Sequence, residues 1–326
     1  MSASATCVIY NPAAGRGRAA KLIHEIARPA GVELCPTTHP GSAVELARAA
    51  AGKGYGRVVA AGGDGTVHEV ANGILLAGRP ETVLSVWPLG SMNDYAYTLG
   101  ITAWWEAGRD PADLTTLSAD VGIVESGGQR RYFVNGCGVG FTGMVTVESR
   151  SIRWLRGVPL YALAVLKAMI RDFTSPPCTV AIDGVETAVP LLTFSLGIGQ
   201  REGGFPLTPL ARLDDGWFDY FRVGRVRRWE LIRHFPGLMT GNLPVKHPEV
   251  AVGRCRAVRL RSEAPLCVHA DGELICTPTD GIRDVTVSLV PASLRVEYFP
   301  PALYGGNRFD GLRSALEPRF EVRPAS

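Results

Sequence analysis

The sequence predicts two kinds of domain in one chain: an α/β domain built on a parallel sheet, then an antiparallel β-sandwich domain. Three observations carry this expectation. Over residues 6–90, short apolar or β-branched runs alternate with helical segments. Such alternation marks βαβ units, whose crossover helices cover a parallel sheet. Beyond about residue 118 strand-like runs recur at short spacing and helices become rare, as in a sandwich or barrel. The chain has 326 residues, room for two domains at roughly 150 residues each. The expected boundaries are 1–125, 126–300 and a charged tail at 301–326 containing Pro318 and Pro324, which either frays or packs back on the first domain.

Each element follows from its local pattern. Residues 6–10 are a β-rich run ending in Asn-Pro, and 16–28 have helical composition. Residues 31–36 read as extended, 42–51 as an alanine-rich helix and 57–61 as a buried strand. Within 66–77, Val67, Val70, Ile74 and Leu75 share one helical face. A fourth strand, 83–87, closes on Pro88, Leu89 and Gly90. In the second half, 119–125 and 131–135 flank a Gly-Gly turn, and the main helices are 160–173 and 227–240. Strands are expected at 179–182, 187–197, 217–223, 257–261, 266–270 and 285–289, with Asp183-Gly184 as a hairpin turn. No internal repeat or low-complexity linker separates the halves.

Composition excludes several classes. The 46% hydrophobic and 20% charged content fits a globular chain and not a disordered or coiled-coil one. A net charge of +3 is too small to indicate nucleic acid, and no nucleic-acid partner is expected. The 30 Arg against 4 Lys read as compositional bias. Seven cysteines without a Cys-x-x-Cys, and no secretory pattern over residues 1–6, suggest reduced, buried thiols in a cytoplasmic protein. The most apolar stretch, 157–170, is interrupted by Lys167 and falls short of the ~18 residues of a span. Any membrane contact should therefore be peripheral.

The strongest chemical signal is Gly62, Gly63, Asp64, Gly65 and Thr66 between a buried strand and a helix. Glycines let backbone N–H groups approach a ligand, and the helix N-terminus favours phosphate. Asp64 in such a seat makes sense if a divalent cation bridges carboxylate and phosphates. Two more loops follow strand ends: Asn11, Pro12, Ala13, Ala14 and Gly15, and Pro88 to Asp94 with Ser91 and Asn93. In a parallel sheet, loops after strand C-termini share one edge, where ligands bind. A Walker A loop, the Gly-x-Gly-x-x-Gly fingerprint, the protein-kinase motifs and a nucleophile elbow are all absent.

These three loops, with Glu69 and Asn72, resemble the catalytic-domain motifs of the diacylglycerol kinase family. The likeness is strongest to its soluble bacterial lipid kinases, which share a fold with NAD kinases and sphingosine kinases. It continues through Gly203-Gly204-Phe205, Asp214-Asp215-Gly216 and Asp271-Gly272-Glu273. One departure is Ser91-Met92 where the family has Thr-Gly. The resemblance implies ATP- and Mg²⁺-dependent phosphorylation of a lipid hydroxyl, with diacylglycerol as the first candidate. It implies a nucleotide site lined by Asn11, Pro12, Ala13, Ala14, Gly15, Thr37, Gly62, Gly63, Asp64, Gly65, Thr66, Glu69, Ser91 and Asn93. It implies Glu273 as general base, and Mg²⁺ held by Asp215 with the carbonyls of Arg212 and Trp217.

The residues alone leave roles open. Asp271 and Glu273 are two apart, which on a strand puts them on one face; one could be the base while the other sets its pKa or binds metal. Taken alone, Asp-Gly-Glu also reads as a surface hairpin, since such turns are common. Arg150, Arg153 and Arg156 surround Trp154 and Leu155 ahead of an apolar run. This is either a patch for anionic lipid headgroups or an ordinary packed helix. The arginines between 222 and 233 carry the same two readings, and His68, His234, His247 and His269 show no metal-ligand spacing. Other acceptors stay open: a sphingoid base, phosphatidylglycerol, NAD or another soluble nucleotide. So do a non-catalytic lipid- or nucleotide-binding regulator and a homodimer.

Overall fold

The computed structural model describes residues 5–17, 23, 31–108, 110–152 and 154–300. Most of the expected helix at 16–28, Arg153 and the tail at 301–326 lie outside the described residues. The chain divides into two compact units. The first runs to Val121, takes in Tyr132–Val134 and resumes at Pro291; the second holds Gly122–Arg131 and Asn135–Val290.

Unit 1 is the expected parallel α/β layer. Strands β1 (Thr6–Tyr10), β2 (Val32–Pro36), β3 (Arg57–Gly62) and β4 (Val83–Pro88) stand in the order β2-β1-β3-β4, all parallel. Val8, Ile9, Val58, Val59, Ala60, Ala61 and Leu84 are buried. Burial on both faces makes such strands read as continuous apolar runs. Helix α1 (Ser42–Gly52) buries its alanine face, and α2 (Asp64–Ala77) buries Val67, Val70 and Ile74, as the period predicts. Helices α3 (Asp94–Thr98) and α4 (Ile101–Glu106) follow β4. Strands β5 (Thr115–Ser126) and β6 (Gln129–Phe133) come next in the chain and pair with each other across Gly127-Gly128.

Unit 2 is antiparallel throughout its named ladders. It contains β7 (Gly136–Gly140), β10 (Thr193–Gly197), β11 (Phe218–Val223), β12 (Val250–Cys255), β14 (Val268–Ala270) and β15 (Glu273–Cys276) in one six-stranded sheet. Its order is β12-β11-β10-β7-β14-β15. Strands β8 (Pro177–Ile182), β9 (Val185–Pro190) and β13 (Ala257–Ser262) form a second ladder, with β13 paired to the first half of β16 (Asp284–Tyr298). Residues 295 and 296 of β16 instead pair in parallel with β4 in unit 1. The β8–β9 turn is Asp183-Gly184 with φ of 47° and 88°, the left-handed pair that a two-residue hairpin needs.

Several elements depart from the expectation. The run 187–197 is two strands in different sheets, β9 and β10, separated at Leu191-Leu192 after Pro190. Proline lacks the N–H that would continue a ladder. The short strand at 285–289 extends to Tyr298 as β16. A helix, α5 (Phe141–Ser151), stands where the sequence suggested none. With α6 (Gly157–Arg171) and α7 (Arg228–Thr240) it covers a core of Phe141, Val145, Ala164, Ala168, Met169 and Phe221.

One buried charge joins α5 to α6. Glu148 accepts from Lys167 at 2.6 Å and Arg171 at 2.9 Å, which holds its carboxyl below the usual range. A depressed folded pKa gives stability that is present above the unfolded value, about 4.3, and is lost as pH falls through the folded one. Glu148→Gln should therefore lower Tm at pH 7, and that difference from wild type should shrink in melts taken progressively below pH 4. All seven cysteines are free thiols. Burial pushes Cys178 up to about 11 and Cys267 up to about 12, so both are poor nucleophiles.

Candidate active site

In unit 1 the three glycine-bearing loops converge because their strands are neighbours in register. Tyr10 stands opposite Ala61, and Gly62 opposite Pro88. Backbone bonds tie the loops together: Asn11 N donates to Ala61 O at 3.2 Å and Leu89 N to Gly62 O at 2.9 Å. A Cβ on Gly63 would come within 3.2 Å of Gly90 Cα, and one on Gly90 would come within 2.7 Å of Asn93 Oδ1. Only glycine permits this approach of the second and third loops. Asn11 Oδ1 accepts from Ala13 N at 2.9 Å, which turns the first loop back on itself. Thr37 reaches the same edge, its N–H donating to Tyr10 O at 2.8 Å.

Asp64 opens α2 and clamps the third loop. Its Oδ2 accepts from Asn93 N at 2.9 Å and its Oδ1 from Tyr95 N at 3.3 Å. Asn93 holds a left-handed φ of 54°, and its side chain accepts from Gly90 N at 3.0 Å and donates to Gly90 O at 3.2 Å. Glu69 is drawn elsewhere: its two oxygens accept from Gly41 N and Ala43 N at 2.9 and 3.1 Å, at the start of α1. Asn93 thus acts on backbone of the third loop, and Glu69 on the segment leading into α1. Asn72 accepts from Tyr132 N and donates to Tyr132 O, fixing that segment to α2. Gly62, Gly63, Gly65 and Thr66 remain at the helix start, and Ser91 is exposed. The first-turn N–H groups of a helix have no acceptor within it, and the macrodipole adds positive potential there. This edge can therefore hold an anion.

In unit 2 the two candidate carboxylates meet at a turn and not along a strand. Asp271-Gly272 is a two-residue hairpin between β14 and β15, with φ of 52° and 81°, and Ala270 pairs with Glu273 across it. The backbone thus adopts the surface-hairpin reading of this motif, and Asp271 and Glu273 do not share a strand face. Asp271 Oδ1 accepts from Asn135 N at 2.9 Å and Gly136 N at 3.0 Å, pinning the turn to the start of β7. Glu273 is half exposed and bonds the Arg150 guanidinium at 2.7 Å; the same guanidinium donates to Gly272 O at 3.2 Å. Arg150 is thus engaged with the hairpin and is not a spare cation of the basic patch.

Sequence reasoning missed the pair beneath this hairpin. Glu202 Oε1 lies 2.9 Å from Nε2 of the buried His269, on β14. Both face Gly138 of β7, where a Cβ would strike Glu202 Oε1 at 2.9 Å. Burial pushes the Glu202 carboxyl up, but His269 and the Ser195 and Thr142 hydroxyls outweigh it and hold the group below the usual range. Asn135 Nδ2 also donates to Arg201 O at 2.8 Å. The loop carrying Gly203 and Gly204 is therefore fixed to the acid hairpin twice. Glu202→Ala should cost about 1–3 kcal/mol, the usual penalty for orphaning a buried partner. A urea melt checks this, and Glu202→Gln, which keeps a hydrogen bond, should recover much of the loss.

The proposed metal donors are one carboxylate and two carbonyls. Asp215 Oδ1 accepts from Trp217 N at 3.2 Å, and Oδ2 lies 3.4 Å from the Arg254 guanidinium. Arg254 also bonds Asp219 at 2.9 Å. An oxygen-only donor set at a turn fits a hard cation such as Mg²⁺ in kind. Among the described residues there is no cluster of three or more His, Cys, Asp or Glu side chains suited to a metal.

A parallel α/β unit with a glycine-loop edge is thus followed in the chain by an antiparallel unit bearing an acid hairpin. The chain's likeness to known proteins gives the class. Residues 5–122 match the diacylglycerol kinase catalytic domain, and residues 136–298 match the YegS C-terminal NAD kinase beta sandwich-like domain. The chain belongs to the diacylglycerol kinase catalytic-domain family and is a lipid kinase, a transferase. It is 31% identical over 299 residues to a diacylglycerol kinase of Mycobacterium tuberculosis, covering 88% of this chain and 93% of that protein. It is 30% identical over 275 residues to a diacylglycerol kinase of Staphylococcus carnosus, covering 82% and 87%. In fold it is similar to the crystal structure of a diacylglycerol kinase from Bacillus anthracis, with a TM-score of 0.67 at 20% identity, covering 93% of this chain and 99% of that one. Among the described residues no helix is long and apolar enough to cross a membrane.

Proposed function

We propose that this lipid kinase transfers the γ-phosphoryl group of ATP to the free hydroxyl of diacylglycerol, giving phosphatidic acid and ADP. The observation that carries the reading is the glycine-loop edge of unit 1, welded by Gly63 against Gly90 and opening on the start of α2. Backbone N–H groups there bind the phosphates; the loops of Asn11 to Gly15, Gly62 to Thr66 and Ser91 line that seat. Phosphoryl transfer needs positioning and charge neutralisation more than covalent chemistry. Mg²⁺ carried by the nucleotide would supply part of that neutralisation. Separately, Asp215 with the Arg212 and Trp217 carbonyls would hold a Mg²⁺ ion in unit 2.

Glu273 is the general base. The acceptor oxygen forms a bond to the γ-phosphorus, the bond from that phosphorus to the ADP oxygen breaks, and the hydroxyl proton passes to the Glu273 carboxylate. Asp271 is less suited, because its Oδ1 already accepts two backbone N–H groups. Arg150 orients Glu273. The test is radiolabelled ATP with a panel of diacylglycerol, phosphatidylglycerol, a sphingoid base and NAD, with and without Mg²⁺. Label is expected in phosphatidic acid, with Mg²⁺ present. Label confined to another acceptor, or absent from all of them, overturns the assignment.

A further inference from the structure

Among the described residues nine large hydrophobic side chains are exposed, and seven of them fall on α6, on Trp154 just before it, and on α7. The spacing is regular. Val158, Leu166 and Ile170 lie at multiples of four, with Ala162 between, so they form one line along α6. On α7, Trp229, Ile232 and Met239 also share a side. Trp154 is 75% exposed and Ile170 is 67% exposed. Yet both helices already spend an apolar face on the unit 2 core: Ala164, Ala168 and Met169 from α6, and Leu231, Phe235 and Leu238 from α7. A surface helix normally carries one such stripe, and a helix apolar on both sides is normally covered on both.

The ends of the two helices meet at one place. Arg228 Nε donates to Met169 O at 2.9 Å, and its guanidinium stands 5.6 Å from the Phe173 ring. This joins the C-terminal end of α6, with Ile170, to the N-terminal end of α7, with Trp229. Cations flank the lines: Arg156, Arg225, Arg227, Arg228 and Arg233 are exposed. Acids are few here: α6 carries none, with Asp172 just past its end, and the one on α7, Glu230, accepts from Arg227 N at 2.6 Å and faces His247. The nearby Glu148 of α5 is paired with Lys167 and Arg171.

We infer that the outer faces of α6 and α7, with Trp154, form the surface by which this enzyme docks on an anionic lipid bilayer. The inference rests on membership of the lipid kinases and names the partner surface. A bilayer supplies both things this face lacks: an apolar layer for the side chains and negative headgroups for the arginines. Tryptophan suits the boundary, since its body is apolar and its N–H stays wet. A second copy of the chain would set arginines against arginines.

Sedimentation with vesicles of phosphatidylcholine, alone or mixed with phosphatidylglycerol, tests this. The full chain should bind the mixed vesicles and bind phosphatidylcholine weakly. The paired variants Trp154→Ala/Ile170→Ser and Trp229→Ala/Ile232→Ser should each weaken binding by about tenfold or more, as expected from apolar area withdrawn from the bilayer. Both should keep wild-type turnover on a short-chain diacylglycerol in detergent micelles. Vesicle binding unchanged in both variants overturns the proposal, as does a wild-type chain that ignores anionic vesicles. Unchanged binding with loss of a dimer on gel filtration would assign the face to a second copy. If the lipid panel yields no labelled acceptor but the variants still lose vesicle binding, the docking surface stands and the acceptor reading falls.

Discussion

Glu273→Gln is expected to reduce kcat by about 10²–10⁴-fold, the span typical of a removed general base, with little change in the KM for ATP. The glutamine keeps the size of the side chain and can still accept a hydrogen bond from Arg150, so the hairpin should hold its shape. What is lost is a group able to take the acceptor's proton. The neighbouring carboxylate supplies the control. Asp271→Asn retains an oxygen for the Asn135 and Gly136 N–H groups, so it should fold normally and lose far less turnover. Asp271→Ala leaves those two donors without their partner and should lower the urea midpoint as well as the rate. Steady-state kinetics and denaturation on the three variants decide the matter. A larger turnover loss in Asp271→Asn than in Glu273→Gln would exchange the two roles.

The parallel layer was legible because each signal was local. Buried strands such as β3 are unbroken apolar runs, and the glycine loops that follow them sit at fixed places in the chain. Asp183-Gly184 and the β8–β9 hairpin were legible for the same reason: a dipeptide that tolerates two positive φ angles announces the turn. Asp271-Gly272 carries the same signal, and its reading as a surface hairpin is the one the backbone adopts. What stayed hidden depends on pairing across distance. Glu202, in the segment after β10, meets His269 of β14 because both strands flank β7, and a lone glutamate beside Gly-Gly gives no sign of a buried partner. Helix α5 was masked by Gly140 and Gly143, residues that weaken any helical pattern. Gly143 is required there because a Cβ would meet Cys267 O at 2.6 Å. The split of β9 from β10 rests on Pro190 and two leucines, and those leucines look like strand in isolation.

Asp64→Asn is the second substitution with a large expected effect, and its reason is geometric. The carboxylate accepts two backbone N–H groups, Asn93 of the third loop and Tyr95 at the start of α3, one on each oxygen. An asparagine has one oxygen and one NH₂, so one of those donors would face another donor. A hydrogen bond to a charged group contributes about 1.5–3 kcal/mol, which corresponds to a factor of roughly 10–150. If that loss falls on the loop edge, the KM for ATP should rise by about this factor while the acid hairpin of unit 2 is untouched. Gly90→Ala provides an independent route to the same defect. Its Cβ would press on Asn93 Oδ1 and Gly63, displacing the third loop without removing any charge; overpacking of this kind costs about 1–3 kcal/mol. Both variants should therefore show raised ATP KM and a lowered Tm. A Gly90→Ala enzyme with wild-type affinity for ATP would mean that the close approach of the two loops does not shape the nucleotide seat.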